Sequence, residues 1–303
     1  HRMRIAIIGA GAVGAYFIES FHGVSEIELS VVADGERLAR LRQKGLTINS
    51  VRYDDASLFK SPEEAGIQDL IIVATKASGI ESAAALLPSM TGESTMVIGP
   101  FNGVSGEKIL ADSVGLSHVA YSLIVIASKR NDDGSIDFER GPVRVFIEKD
   151  RLSRELVDVL NSTELQWEEH PDIMTRMWTK YATNMANNLP QAIVGADASM
   201  YMDSEHGLWL AEKLWEETRK VAACEGVTLD ERAAIFPRDT GTPKHMKYST
   251  LQDLEAGRHT EIDLFAGELV KMAAKHGLEV PCTEYVYHLI KTIEEKNDGL
   301  FEE

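Results

Sequence analysis

The stretch Arg4-Ile5-Ala6-Ile7-Ile8-Gly9-Ala10-Gly11-Ala12-Val13-Gly14 decides the reading of this 303-residue chain. Arg4 to Ile8 is a short apolar run rich in β-branched residues, the pattern of a strand buried in a parallel sheet. The glycines follow at once, and Ala12 to Phe21 then reads as helix. In that order G-x-G-x-x-G has a mechanical meaning. Gly9 allows the tight turn, Gly11 lets the backbone approach a pyrophosphate, and Gly14 lets the helix pack closely on the strand. Ala12 and Val13 belong to the same cofactor-binding turn, and the pyrophosphate meets the positive end of the helix dipole. A glycine-rich βα turn without a ligand carries the same letters, so context matters. Here a strand precedes, a helix follows, and the acidic Asp34 stands about twenty residues past Gly14, beyond a second strand.

Outward from this unit the first half alternates strand and helix. Glu28 to Ala33 reads as the second strand, Gly35 to Lys44 as helix, Leu46 to Ile48 as a short strand and Asp69 to Thr75 as a fully buried one. Ser78 to Leu87 is helical and Thr95 to Ile98 is a further strand. The rhythm predicts a Rossmann-type, doubly wound α/β sheet with ligands at the carboxyl ends of its strands. Ala120 to Ala127 and Val143 to Lys149 read as strands with a turn at Asp132-Asp133-Gly134 between them, which predicts antiparallel additions to that sheet. Arg151 to Asn161 reads as helix, and Trp167 to Pro171 as a connection. Beyond it the periodicity is helical: Met174 to Asn188, stopped by Pro190; Ser204 to Ala223, with Gly226 after its end; Thr260 to Gly277, with a possible capping box to Asp263; and Thr283 to Glu295. The expected organisation is a dinucleotide-binding domain over 3–170 and an all-helical substrate domain over 171–303.

Apolar content of 44% and charged content of 26% are ordinary for a globular protein. No apolar run is long enough to span a bilayer, no signal peptide is expected ahead of Met3, and His1-Arg2 read as an added remnant. The two cysteines, Cys224 and Cys282, are too few for a disulfide framework or zinc site. They read as small buried hydrophobes in a cytoplasmic protein. A net charge of −17 argues against nucleic acid as a partner. It also means that an anionic ligand needs a locally positive site, built from helix N-termini and a few lysines. No histidine has a partner at metal-ligand spacing, so no metal is expected.

Lys180, Asn184 and Asn188 fall at i, i+4 and i+8 and form one polar stripe on an otherwise apolar helix. Asparagine is a poor helix-interior residue, and two on the face of a lysine suggest a site. A solvated face, with Asn187-Asn188 fraying ahead of Pro190, accounts for the same spacing. Within STLQDLEAGRHTEID, Ser249 and Asp253 are one turn apart and Glu261 lies in the first turn of the next helix. A structural reading has Ser249 as a cap, Asp253 solvated and Glu261 complementing the helix dipole. Lys76 follows a buried strand and Asn102-Gly103 follows the next, at the sheet edge where dinucleotides bind; both are also ordinary loop chemistry.

Taken in order, GAGAVG, ATKA at Lys76, FNG at Asn102, MWTKYATN around Lys180 and STLQDLEAGRHTEID from Ser249 resemble the ketopantoate reductase (2-dehydropantoate 2-reductase) family over nearly the whole chain. The resemblance implies an NAD(P)-dependent reductase of a small anionic 2-oxo acid. It makes Lys180 the general acid and Glu261 its support, gives Asn102, Asn184, Asn188 and Ser249 the substrate, and puts Lys76 and Asn102 at the cofactor side. Two positions depart from it. Asp34 replaces the arginine suited to the 2′-phosphate of NADP and favours NAD, with Arg37 near enough to compensate in part. Phe101 stands where glutamine is common, which implies a more aromatic pocket. Both departures are similar to D-mandelate-type 2-hydroxyacid dehydrogenases, which become the alternative activity. A dinucleotide sensor without catalysis would have no use for Lys180 and Glu261. Apolar helical faces with Trp209 and Trp215 serve either a core or a homodimer interface.

Overall fold

The structure, a computed structural model, describes residues 2–229 and 241–302. The chain divides into two compact units: His1–Phe101 with Ser105–Ile173, and Met174–Glu303 with Asn102–Val104.

The first unit is built on six parallel strands: β1 (Met3–Ile8), β2 (Ile27–Val32), β3 (Phe59–Lys60), β4 (Leu70–Val73), β5 (Met96–Ile98) and β6 (Val119–Ala120), in spatial order β3-β2-β1-β4-β5-β6. The order reverses between β1 and β4, which makes their carboxyl ends the switch point where such sheets bind ligands. Side chains alternate across the sheet. Ile5, Ile7 and Ile72 join one core with helices α1 (Ala12–Phe21) and, later in the chain, Arg154–Asn161. Ala6, Ile8, Ile71 and Val73 face the other core, under the helices Ile80–Leu86 and Gly106–Val114. Both faces are therefore covered, which is why these strands read as continuous apolar runs rather than alternating ones. Between β2 and β3 runs helix α2 (Gly35–Lys44).

The antiparallel additions expected on this sheet form two separate sheets instead. Val119–Ala120 closes the parallel sheet, while Ser122–Val125 pairs antiparallel with Arg144–Glu148 in a three-stranded sheet. Its third strand is Trp167–His170, which the sequence suggested was a connection. The turn at Asp132-Asp133-Gly134 joins Ser128–Arg130 to Ile136–Phe138, in a four-stranded sheet with Leu46–Ile48 and Val51–Tyr53. An apolar run reports that a strand forms, but its hydrogen-bond partners are distant in sequence and leave no local trace.

The second unit is helical among its described residues: α3 (Ile173–Val194), α4 (Glu205–Cys224), α5 (Ser249–Glu255), α6 (Glu268–Lys275) and α7 (Pro281–Asn297) are its longer helices. None of the described helices is long and apolar enough to cross a membrane. The expected stop at Pro190 does not occur: α3 runs four residues further with the proline inside it. The Tyr201 hydroxyl explains how. It accepts a hydrogen bond from the Gln191 N–H at 2.9 Å and donates one to the Asn187 carbonyl at 2.5 Å, bridging the rung that would otherwise link those two backbone groups. Ser204 caps α4 through the Gly207 N–H. That helix sends Ala211, Leu214, Trp215, Thr218 and Ala222 into the core, while Trp209 is 51% exposed. Glu217, also buried, accepts from the Cys282 and Thr283 N–H groups and the Thr283 hydroxyl, and so caps α7 from a neighbouring helix. Cys224 ends α4 and is exposed, contrary to the expected burial; both cysteines are unbridged.

Candidate active site

The residues read from the sequence as cofactor-binding lie at the carboxyl ends of β1, β2 and β4. Gly9 has φ +100°, and a Cβ there would stand 2.7 Å from the Ala74 carbonyl oxygen. A Cβ on Gly14 would stand 2.1 Å from the Gly9 carbonyl oxygen, so turn and helix meet at a distance only glycine permits. Gly11 differs, because a Cβ there meets nothing within 4 Å. It is the N-cap of α1, whose first turn carries no acid and no side-chain cap, while Ala12 and Val13 lean against the core. The Thr75 hydroxyl oxygen, beside the Gly9 turn, is buried without a hydrogen-bond partner. An open helix N-terminus over a glycine with free space fits a pyrophosphate. Asp34, exposed and past the end of β2, occupies the N-cap of α2 without using its side chain as a cap. Lys76 is exposed just beyond β4.

Phe101 corrects the expectation of an aromatic pocket. The residue is 6% exposed and belongs to the core under the helix Gly106–Val114. Its ring fills a slot between Gly99 and Gly106, where a Cβ on either would stand 2.2 or 2.4 Å from ring atoms. An aromatic side chain sinks into that glycine-lined gap because burial is worth more than exposure at the sheet edge.

In the second unit α3 carries the polar stripe. Lys180 and Asn184 are partly buried, and Asn188 is buried within the helix rather than fraying from its end. Burial pushes the Lys180 ammonium down to about 8, the Arg176 charge one turn earlier pushes the same way, and Glu261 opposes both. Arg176 extends the stripe by a further i−4 step, a spacing visible in the sequence. Asn102 packs with this unit, and its Nδ2 donates to Glu261 Oε2 at 2.9 Å. The amide thus aligns the carboxylate that keeps the lysine charged.

The loop that presents Glu261 is held from several sides. The capping box from Thr260 to Asp263 does not form. Thr260 instead donates from its backbone N–H and its hydroxyl to Glu294 Oε2, at 2.6 and 2.7 Å, and Asp263 accepts from the Tyr287 hydroxyl. Asp263–Gly267 winds as a π-turn, with the Gly267 N–H bonded to the Ile262 carbonyl at 3.0 Å. The hydroxyl of Tyr181, the residue after Lys180, donates to the Phe265 carbonyl within that turn, tying the two elements together. Ser249 is the first residue of α5 rather than its cap, a position that Tyr248 takes; its side chain is exposed. Asp253 is paired with Arg258 at 3.0 Å rather than solvated.

A doubly wound sheet with a dinucleotide turn, joined in one chain to a helical unit that holds a lysine–carboxylate pair, defines a nicotinamide-dependent oxidoreductase. Comparisons with known proteins refine the class. The family model described as "Ketopantoate reductase PanE/ApbA" matches residues 5–150, and its C-terminal counterpart matches residues 172–294. The chain is 27% identical to the 2-dehydropantoate 2-reductase of Archaeoglobus fulgidus, over 96% of this chain and 98% of that protein. Among solved structures, the PanE/ApbA family ketopantoate reductase of Ralstonia eutropha superposes with a TM-score of 0.84 at 25% identity, covering 98% of this chain and all of that one. A D-mandelate dehydrogenase with NADH and anilino(oxo)acetate shares the fold, with a TM-score of 0.84 at 23% identity, over 98% of this chain and 99% of the other. The chain belongs to the ketopantoate reductase family.

Proposed function

We propose that the protein reduces a 2-oxo acid, ketopantoate in the first instance, to the 2-hydroxy acid, and that it prefers NADH. The observation that carries the reading is the Lys180–Glu261–Asn102 arrangement: a partly buried ammonium, a carboxylate that sustains its charge, and an amide that aligns the carboxylate. Bound NAD(P)H supplies the hydride. Reduction of a ketone places negative charge on its oxygen, and the Lys180 ammonium stabilises that charge and delivers the proton. A lysine poised near 8 is a better donor at neutral pH than one at its ordinary value, yet it remains mostly protonated there. Asn184, Asn188 and Ser249 bind the carboxylate and hydroxyl of the substrate, and Arg176 adds positive charge in a protein of net charge −17. Gly9, Gly11, Ala12, Val13 and Gly14 hold the pyrophosphate, Asp34 the ribose diol, and Lys76 the cofactor side of the site.

The second reading, an NAD-dependent D-2-hydroxyacid dehydrogenase, uses the same residues and is favoured by Asp34 alone, now that Phe101 lies in the core. Initial rates on ketopantoate and benzoylformate, each with NADH and NADPH, separate the two. Ketopantoate with NADH is expected to give the highest kcat/KM. A faster rate on benzoylformate would transfer the assignment to the second reading, and a strong preference for NADPH would overturn the role of Asp34. Self-association is proposed on more general grounds: a Staphylococcus aureus ketopantoate reductase is described as dimeric, and Trp209 is available on α4.

A further inference from the structure

The polar face of α3 continues beyond Asn188 to Gln191, eleven residues after Lys180 and again on the same side of the helix. Gln191 is completely buried, and both ends of its amide are engaged. Nε2 donates to the Met246 carbonyl at 3.1 Å, and Oε1 accepts from the Tyr248 N–H at 2.7 Å. One planar group therefore grips two backbone positions in the segment that leads into Ser249. The Met246 carbonyl also accepts from the Ala198 N–H at 2.9 Å, so the segment is held from a second direction. The backbone beside Pro190 is part of the arrangement, because the Gln191 N–H donates to the Tyr201 hydroxyl at 2.9 Å. Ser249 follows Tyr248 directly and opens α5, and its neighbours Thr250 and Leu251 are buried. The grip and that packing together set where the Ser249 hydroxyl stands.

We propose that Gln191 is a positioning residue for substrate recognition: it holds Ser249 in register with the Lys180–Asn184–Asn188 stripe, so that a small 2-oxo acid is bound at both ends. The inference rests on the reading of Ser249 as a substrate ligand. Gln191 itself does not touch the reacting atoms. Its loss would leave the Tyr248 N–H without this acceptor and the Met246 carbonyl with the Ala198 N–H alone, and the segment would be free to shift.

The test is steady-state kinetics of the full chain and its variants Q191L, Q191E, S249A and Q191L/S249A, with ketopantoate and NADH, alongside thermal melts. S249A and Q191L are each expected to raise KM about tenfold, the effect of losing one hydrogen bond, with kcat within about twofold. The double variant is expected to be no worse than S249A, because Gln191 acts through the serine. Q191E keeps the acceptor for the Tyr248 N–H and is expected to restore part of the KM; it carries the test if Q191L does not fold. Increases that multiply in the double variant, or a loss of kcat at unchanged KM, would overturn the proposal. If S249A raises KM while neither Gln191 variant does, only the positioning role falls. If S249A leaves KM unchanged, the substrate reading of Ser249 falls and takes this proposal with it.

Discussion

Lys180 is subject to opposing influences. Burial and Arg176 favour the neutral amine, Glu261 favours the ammonium, and the balance lies at about 8. A general acid works while protonated, so kcat/KM is expected to be level through neutrality and to fall as pH rises past about 8. Glu261→Gln removes the only one of these influences that raises the value, so the falling limb should move to lower pH. A pH–rate profile of both proteins checks this, and an unmoved limb would detach Glu261 from the lysine. Lys180→Ala is expected to cost on the order of 10²–10⁴ in kcat while dinucleotide binding, followed by fluorescence titration, is retained. The glycines offer a second comparison. Gly11→Ala meets no atom within 4 Å, so its melting temperature should be unchanged while NADH affinity drops about tenfold or more, as a methyl enters the space kept for phosphate. Gly14→Ala meets the Gly9 carbonyl at 2.1 Å and should destabilise the fold itself.

At the scale of elements, α3 shows how a helix accommodates a proline. The Tyr201 ring is fully buried, and its hydroxyl takes the place of a lost rung between Asn187 and Gln191. Tyr201→Phe leaves that N–H and carbonyl buried and unpaired, so urea unfolding should show a loss of about 1–3 kcal/mol. An unchanged midpoint would mean that the two groups find other partners. The sequence made the helix and its stripe legible, since Lys180, Asn184 and Asn188 repeat at helical spacing. The continuation past Pro190 was not legible, because the hydroxyl that permits it belongs to a different helix. The same applies to Thr260, whose partner Glu294 lies 34 residues away.

Across the molecule, one buried acid bears on global stability. Glu107 is 1% exposed, no donor lies at full hydrogen-bond geometry to its carboxylate oxygens, and burial raises its pKa to about 8 against the weaker opposing pull of the Glu107 and Ser122 backbone N–H groups. The folded protein therefore holds a proton that the unfolded chain releases near the ordinary value of 4.5. Stability falls as pH rises from that value and levels off above about 8. Glu107→Gln stays neutral throughout, and is expected to be more stable than the parent by about 2–4 kcal/mol at pH 8, with little difference at pH 4. Denaturant unfolding at the two pH values measures this; equal differences at both would remove the proton from the explanation.

Local pattern was enough for the parallel sheet, the glycine turn after its first strand and the helical character of the second half, because strand and helix periods and glycine chemistry act over a few residues. Tertiary structure alone decided which sheet the strands between Ser122 and His170 join, that Phe101 turns into the core, and that Gln191, Glu217 and Glu294 are committed to distant backbone. Those outcomes depend on which buried polar group or vacant space a residue meets, and the chain brings such partners together only when it folds.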